Sequence, residues 1–200
     1  MKRSTFITRI LKPALFLALL LPAASLIWRD MGANPVETIT HATGSWALRL
    51  LLVTLAITPL RRLTGWGELL RLRRMLGLYA FFYALLHFLT YAVLDQGLLL
   101  SAVLEDVLER PYITLGFAVF LMLIPLAATS TDGMIRRLGV KRWRRLHRLV
   151  YPAALGGLFH FLWLVKADLR EPLVHLAILL LLLAFRLPSH LFPSLAWRKS

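Results

Sequence analysis

The chain has 200 residues, of which 58% are hydrophobic, and its mean hydropathy is +0.69. A soluble globular chain has about 45–50% apolar residues and could not bury this much apolar surface. The sequence contains no cysteine, which excludes disulfides, thiolate metal sites, iron–sulfur clusters and a cysteine nucleophile. The composition therefore predicts a small all-α membrane protein that crosses the bilayer several times.

Six segments are apolar enough to form membrane-spanning helices, which need about 20 residues each. We place these six spans at 11–28, 46–60, 75–94, 112–128, 149–165 and 172–187. The first span follows a basic segment as a signal peptide would, but no cleavage site of small residues follows it convincingly, so we interpret it as a retained helix. The connecting loops are too short for a soluble nucleotide-binding domain. We therefore expect a single transmembrane domain over residues 1–200.

The positive charges favour one orientation of the six helices. The chain carries 24 Lys and Arg against 10 Asp and Glu, a net charge of +14. Most of the basic residues fall in four segments, which are 1–12, 61–74, 129–148 and 186–200. Since an excess of Lys and Arg in short loops marks the cytoplasmic side, we expect both termini in the cytoplasm. The basic run 141–145, beside a span, favours contact with anionic lipid heads over nucleic acid.

Two histidines lie deep inside predicted spans. His87 follows Arg74 by 13 residues, and His160 follows Arg148 by 12 residues. At about 1.5 Å per residue, both imidazoles lie about 18–20 Å from the cytoplasmic edge. Two neutral imidazoles at one depth can bind a haem iron from its two faces. Because such ligation leaves no open position on the iron, it favours electron transfer over oxygen binding.

The residues around these two histidines suit a flat aromatic cofactor. Gly156 and Gly157 would let a flat ring approach the backbone just before His160. Aromatic side chains flank both histidines in the sequence, namely Phe81, Phe82, Tyr83, Phe88, Phe159, Phe161 and Trp163. The alternative is that each imidazole only hydrogen-bonds a neighbouring helix and holds the bundle together.

His147 lies 13 residues before His160, at the expected cytoplasmic rim. A second porphyrin there would complete a chain of cofactors across the membrane. However, Arg73 and Arg74 occupy the corresponding level of the third span, and on a regular helix the two imidazoles point about 140° apart. We therefore keep two roles open for His147, as a haem ligand or as a residue at the electron entry.

The other three histidines carry weaker signals. His41 is expected at the outer surface in a loop or capping role, and His190 lies in the C-terminal tail. His175 follows Glu171 by four residues, so local pairing between these two is expected at the start of a helix. We assign none of the three to the cofactor.

Motifs in order along nearly the whole chain resemble those of a known family. They are Asn34-Pro35-Val36, His41-Ala42-Thr43-Gly44, Thr58-Pro59-Leu60, Arg73-Arg74-Met75-Leu76-Gly77-Leu78, Leu86-His87, Arg110-Pro111-Tyr112-Ile113-Thr114-Leu115-Gly116, Thr129-Ser130-Thr131, Leu146-His147-Arg148-Leu149-Val150-Tyr151 and His160-Phe161-Leu162-Trp163. In these stretches the chain resembles the MsrQ (YedZ) family, within the ferric-reductase-like transmembrane superfamily. Members of this family are the haem-binding membrane subunits of bacterial periplasmic methionine-sulfoxide reductase systems.

The resemblance implies a location in a bacterial inner membrane, together with cofactors and partners that composition and spacing do not show. It makes His87, His147 and His160 the haem-linked positions, and it implies haem b and a flavin, FMN. Electrons would come from the quinone pool or a cytoplasmic flavin reductase. They would pass to a periplasmic molybdopterin enzyme that reduces methionine sulfoxide in oxidised proteins, so catalysis would belong to the partner.

Two other classes of function remain open from the sequence. A cofactor-free transporter or membrane assembly factor could use His87 and His160 as a proton relay. A metalloreductase acting on external ferric ions would need an electron-input domain, which the short loops do not provide. Our first interpretation is an electron-transfer subunit with haem b between the third and fifth spans.

Overall fold

The computed structural model describes residues 3–165 and 168–186. Within these two ranges the chain forms helices and the turns between them, with no β-strand, which confirms the all-α class. The first helical stretch consists of α1 (Arg3–Phe6), a π-helical turn (Ile7–Leu11) and α2 (Lys12–Ser25).

Eight further helices follow along the described chain, several of them extended by short turns of other helix types. These helices are α3 (Pro35–Thr64), α4 (Leu70–Leu89), α5 (Leu100–Glu109), α6 (Pro111–Ala128), α7 (Asp132–Leu138), α8 (Val140–Leu146), α9 (Val150–Leu164) and α10 (Arg170–Ala184). Turns of 3-10 helix at Gly67–Leu69 and His147–Leu149 lead into α4 and α9, and a π-helical turn at Thr90–Asp95 continues α4.

Four helical stretches are long and apolar enough to cross a membrane. They are Ser4–Ser25, Pro35–Thr64, Gly67–Asp95 and Pro111–Ala128, and they overlap the first four predicted spans. The last two helices, α9 and α10, have 15 residues each, which corresponds to about 22 Å against a hydrocarbon core of about 30 Å. The helices therefore indicate a membrane protein, whereas six spans and cytoplasmic termini remain predictions.

The second predicted span, 46–60, is only part of a much longer helix. The α3 helix begins at Pro35, because the Asn34 side chain accepts a hydrogen bond from the Glu37 backbone N–H at 3.2 Å and caps the helix. The loop or capping role expected for His41 was wrong, since His41 lies inside α3 with its imidazole 3.8 Å from the Glu37 carboxylate. The cap residue is Asn34.

The predicted outer loop between the third and fourth spans contains a helix. Its residues 100–109 form α5, whose Val103 and Val107 pack with Ala92 at the end of the α4 stretch. On the opposite face of α5, Leu104 and Leu108 are exposed. Helix α5 therefore covers the end of the bundle at which α6 begins.

Helix packing places α4 and α9 opposite each other. Helix α4 packs along α3 and against α6, while α9 packs along α6 and against α3. Close packing of α6 on α9 requires Gly156, because a Cβ atom there would lie 2.6 Å from Val119 Cγ2. The role predicted for Gly156 was therefore wrong, since it admits a neighbouring helix and not a flat ring.

Candidate functional site

Two imidazoles from different helices meet inside the bundle. His87 lies near the end of α4, and His160 lies in the second half of α9. Their ring centroids are 6.1 Å apart, and their ring planes are inclined at 77°. The equal depth predicted from helical rise is thus accompanied by a close approach in space.

Each of these imidazoles has a defined tautomer, because its Nδ1 atom contacts a backbone carbonyl. Nδ1 of His87 lies 2.9 Å from the Thr40 oxygen in α3, and Nδ1 of His160 lies 2.7 Å from the Tyr112 oxygen in α6. Since a carbonyl oxygen only accepts, Nδ1–H donates in both pairs. The Nε2 atom of each neutral ring then carries the lone pair that a metal would use.

The two bonds also test the alternative in which the histidines only hold the bundle together. They do tie α4 to α3 and α9 to α6. However, they occupy one nitrogen of each ring, and the described residues supply no hydrogen bond to Nε2 of His87 or His160. A purely structural role therefore accounts for Nδ1 of each imidazole but gives no role to Nε2.

Each imidazole lies against a glycine one helical turn beyond its carbonyl acceptor. A Cβ atom on Gly44 would be 3.0 Å from Nδ1 of His87, and one on Gly116 would be 2.8 Å from Cε1 of His160. Gly44 follows Thr40 by four residues, and Gly116 follows Tyr112 by four, so acceptor and glycine share one helix face. The same local arrangement therefore positions both rings.

The two imidazoles line a cavity of about 270 Å³. Most of its wall is apolar and includes Leu48, Leu51, Phe88, Phe117, Val119 and Phe120. Polar side chains line it where the α4 stretch ends and α6 begins, namely Tyr91, Asp95, Arg110 and Tyr112. An apolar cavity with a few convergent polar groups is typical of cofactor sites.

The distance between the two imidazoles suits one metal ion between them, whose remaining ligands would come from a cofactor. Two metal–imidazole bonds of about 2.0 Å, with about 1.1 Å from each nitrogen to its ring centre, place the centroids about 6 Å apart, as observed. No cluster of three or more His, Cys, Asp or Glu that could hold a metal occurs among the described residues. Two imidazoles that line a largely apolar cavity could hold a porphyrin iron, which would bring its other ligands with it.

His147 is not part of this pair. It lies in the turn before α9, where its imidazole stacks on Trp143 with 4.0 Å between ring centroids. Its Nε2 atom is 3.0 Å from the hydroxyl of Thr129, whose own proton is donated to the Pro125 carbonyl. Nε2 of His147 must therefore donate, so the nitrogen that is free in His87 and His160 is engaged here.

The surroundings of His147 disfavour a positive charge on its ring. Burial, together with the nearby positive charge of Arg73, lowers the pKa of His147 below its ordinary value of 6.5. The structure therefore keeps Arg73 close to His147, as expected from their levels on the third and fifth spans. A neutral imidazole at this position can donate through Nε2 and accept through Nδ1.

His175 reaches the same part of the bundle as the central pair. Its buried imidazole contacts the backbone oxygen of Glu171 at 2.7 Å, so the expected local pairing involves the main chain. The Glu171 carboxylate instead pairs with Arg49 of α3 at 2.6 Å. A second cavity of about 60 Å³ is lined by His175 together with His41, His87 and His160. His190 lies outside the described residues.

The aromatic residues expected around the pair divide into three groups. Phe88 lines the larger cavity and Phe161 lines the smaller one. Phe159 and Trp163 are 55% and 58% exposed, so the expectation that they surround a cofactor was wrong. The remaining three aromatic residues pack in the bundle without lining either cavity, namely Phe81, Phe82 and Tyr83.

Comparisons with known proteins show which family this chain resembles over most of its length. The family described as ferric reductase like transmembrane component matches residues 43–158, which include His87 and His147. A protein of Rhodospirillum rubrum, named protein-methionine-sulfoxide reductase heme-binding subunit MsrQ, is 54% identical over 178 residues. The alignment covers 87% of this chain and 86% of that protein.

Two further relatives carry the same name. The protein of Xanthomonas campestris pv. campestris strain 8004 is 52% identical over 185 residues, covering 88% of this chain and 84% of the relative. The protein of Herminiimonas arsenicoxydans is 51% identical over 183 residues, with the same coverage of 88% and 84%. The chain therefore belongs to the ferric-reductase-like transmembrane family and, within it, to the MsrQ family.

Proposed function

We propose that this chain is a membrane electron-transfer subunit that holds haem b between His87 and His160. The observation that carries this proposal is the pair of imidazoles with 6.1 Å between their centroids, each with Nδ1–H donated to a carbonyl. The names of the MsrQ relatives, which describe heme-binding subunits, support the same cofactor. Bound haem would supply reversible one-electron transfer at its iron.

The residues around the pair would prepare the site before a cofactor arrives. The Thr40 and Tyr112 carbonyls fix the rotation of the two rings, which lowers the entropy lost on ligation. Gly44 and Gly116 provide the space that the rings occupy against α3 and α6. The apolar wall would exclude water and accept the face of the macrocycle.

The electron acceptor in our proposal is a periplasmic methionine-sulfoxide reductase that contains molybdopterin. The relatives are named as subunits of a protein-methionine-sulfoxide reductase, which supports a partner of this activity. The chain itself would perform no chemistry on the sulfoxide. Repair of oxidised methionine in proteins would take place on the partner, on the outer side of the inner membrane.

The electron donor in our proposal is the quinone pool or a cytoplasmic flavin reductase, with FMN as a further cofactor. His147 lies at the opposite end of α9 from His160, about 20 Å away by helical rise. Its engaged Nε2 and its neighbour Arg73 favour a role at the electron entry over direct ligation of a second haem.

One alternative retains the same two histidines without a cofactor. In a transporter or assembly factor, His87 and His160 would pass a proton between their Nε2 atoms. Fixed tautomers at Nδ1 disfavour such a relay, because an imidazole must change tautomer, or rotate, after each transfer. The geometry therefore supports cofactor ligation more than proton transfer.

Purification of the full chain in detergent from haem-replete cells tests the proposal. We expect a red protein with a low-spin haem b spectrum, and a pyridine haemochromogen assay with protein quantitation gives the haem count per chain. A quinol, or NADH with a flavin reductase, should then reduce the haem, and the periplasmic partner with methionine sulfoxide should reoxidise it. A colourless preparation would overturn the proposal and favour the relay.

A further inference from the structure

Arg110 lies at the polar end of the cavity that holds His87 and His160. The residue precedes α6 and lines the cavity wall together with both imidazoles. Its side chain is 56% exposed, so the guanidinium touches both the cavity and the exterior. Arg110 thus places a cationic group at the polar end of a cavity whose wall is otherwise mostly apolar.

A buried carboxylate holds this guanidinium in place. Nε of Arg110 lies 2.8 Å from Oδ1 of Asp106, whose side chain is only 10% exposed. The other oxygen of Asp106 accepts from the Tyr91 hydroxyl at 2.8 Å and from Gln96 at 3.4 Å. Arg110 is therefore part of a network that links α5 to the end of the α4 stretch and fixes its direction.

Tyr112 connects Arg110 to the imidazole of His160. An N–H group of Arg110 donates to the Tyr112 hydroxyl at 3.4 Å, while the Tyr112 carbonyl accepts from His160. The rings of Tyr112 and His160 are also stacked, with 6.4 Å between their centroids. A ligand bound at His160 therefore lies within the length of one tyrosine side chain of the guanidinium.

The guanidinium keeps donors for a further partner. Two of its five N–H groups are used in the contacts with Asp106 and Tyr112, and the described residues accept none of the other three. Asp95 also lines this end of the cavity and accepts from Gln96 at 3.2 Å. Because Asp95 repels an anion, a carboxylate would bind on the Arg110 side of this end.

We propose that Arg110, positioned by Asp106, anchors the carboxylates of a flat amphipathic ligand whose centre lies between His87 and His160. This inference rests on the proposed function, in which the ligand is haem b and the carboxylates are its two propionates. Arginine binds a carboxylate through two parallel hydrogen bonds, which fixes orientation as well as adding affinity. Arg110 would thereby set which edge of the macrocycle faces the exterior.

A titration with two porphyrins tests this inference. The full chain, purified without haem from haem-deficient cells, is titrated in detergent with haem b and with haem b dimethyl ester, which lacks the carboxylate charges. We expect the wild type to bind free haem about tenfold or more tightly than the ester. In Arg110→Gln this preference should disappear, while both porphyrins still give a low-spin spectrum from the two intact histidines.

Arg170→Gln is the matched control. It removes the same charge from a side chain that is 94% exposed and does not line the cavity, so it should keep the wild-type preference. Arg110→Lys keeps the charge but loses the paired geometry, and we expect an intermediate preference. Thermal unfolding of each haem-free variant identifies a folding defect. If Arg110→Gln has such a defect, the preference of Arg110→Lys for free haem over the ester tests the inference.

The outcomes separate the inference from the proposed function. Equal affinity of the wild type for both porphyrins, or an unchanged preference in Arg110→Gln, would overturn the role of Arg110 while leaving haem ligation intact. Absence of a low-spin spectrum with either porphyrin in the wild type would overturn both. Release of haem from the loaded protein to apomyoglobin provides a second measurement, with about tenfold faster release expected from Arg110→Gln.

Discussion

His160 and Tyr112 are joined twice, by a hydrogen bond from Nδ1–H to the Tyr112 carbonyl at 2.7 Å and by stacking of their rings. His87 donates in the same way to Thr40, at 2.9 Å. Each acceptor lies one turn before a glycine that makes room for the ring. Helices α3 and α6, which are far apart in sequence, therefore each provide a carbonyl acceptor followed one turn later by a glycine.

The first prediction concerns the two histidines that we propose as haem ligands. His87→Ala or His160→Ala should lower the amount of low-spin haem by at least about tenfold, because either change would remove one of the two proposed iron ligands. The visible spectrum, electron paramagnetic resonance and a haemochromogen assay measure the loss. Phe159→Ala is the control, since this neighbour of His160 is 55% exposed. Full low-spin haem in both histidine variants would contradict the assignment.

The second prediction concerns the glycine that lies under His160. Gly116→Ala places a Cβ atom 2.8 Å from the imidazole, so the ring must move and its bond to Tyr112 must weaken. We expect loss of low-spin haem without loss of helix stability, because alanine favours a helix by about 1 kcal/mol over glycine. The haem spectrum and thermal unfolding of the haem-free chain measure these two effects separately.

Gly77→Ala provides the control for this glycine. It lies in α4, and its added Cβ atom would meet the nearest neighbouring atom, on Thr54, at an ordinary 3.7 Å. Its haem spectrum should match the wild type. Equal spectra for Gly116→Ala and Gly77→Ala would show that the close approach is not needed for ligation.

The third prediction concerns electron entry. His147→Ala should slow haem reduction by the cytoplasmic-side donor, while the haem at His87 and His160 stays bound and still reduces the periplasmic partner after chemical reduction. The haem should stay bound because His147, whose Nε2 donates to Thr129, lies about 20 Å from His160 by helical rise. Stopped-flow haem reduction, followed by reoxidation with the partner, separates the two steps. If His147→Ala slowed only the reoxidation step, the entry role proposed for His147 would be wrong.

The fourth prediction concerns orientation. A reporter fused after Arg137, in α7, should be active only in the cytoplasm, because residues 129–148 are rich in Lys and Arg. A reporter placed in residues 95–110 should be active only in the periplasm. The opposite pattern at these two positions would place the polar end of the cavity in the cytoplasm.

Much of the helical framework could be predicted from local sequence. Apolar segments identified the helices, and the segment 112–128 agrees with α6 to within one residue at its start. The start of α3 was missed because Glu37, Thr38 and His41 interrupt the apolar pattern, although Asn34 followed by Pro35 is a strong helix-start signal. Helix α5 was missed because the four acids of the segment 95–110 favoured interpretation as a loop.

The sequence by itself determined the level of His87 and His160, since helical rise is constant and depth follows from counting residues. Only the tertiary structure decided what each ring faces. The acceptors Thr40 and Tyr112 act through main-chain carbonyls, which every residue has, so the sequence gives no signal for them. Rotation about a helix axis depends on packing with neighbours that are distant in sequence, which is why Phe159 turned outward and Arg110 turned towards the cavity.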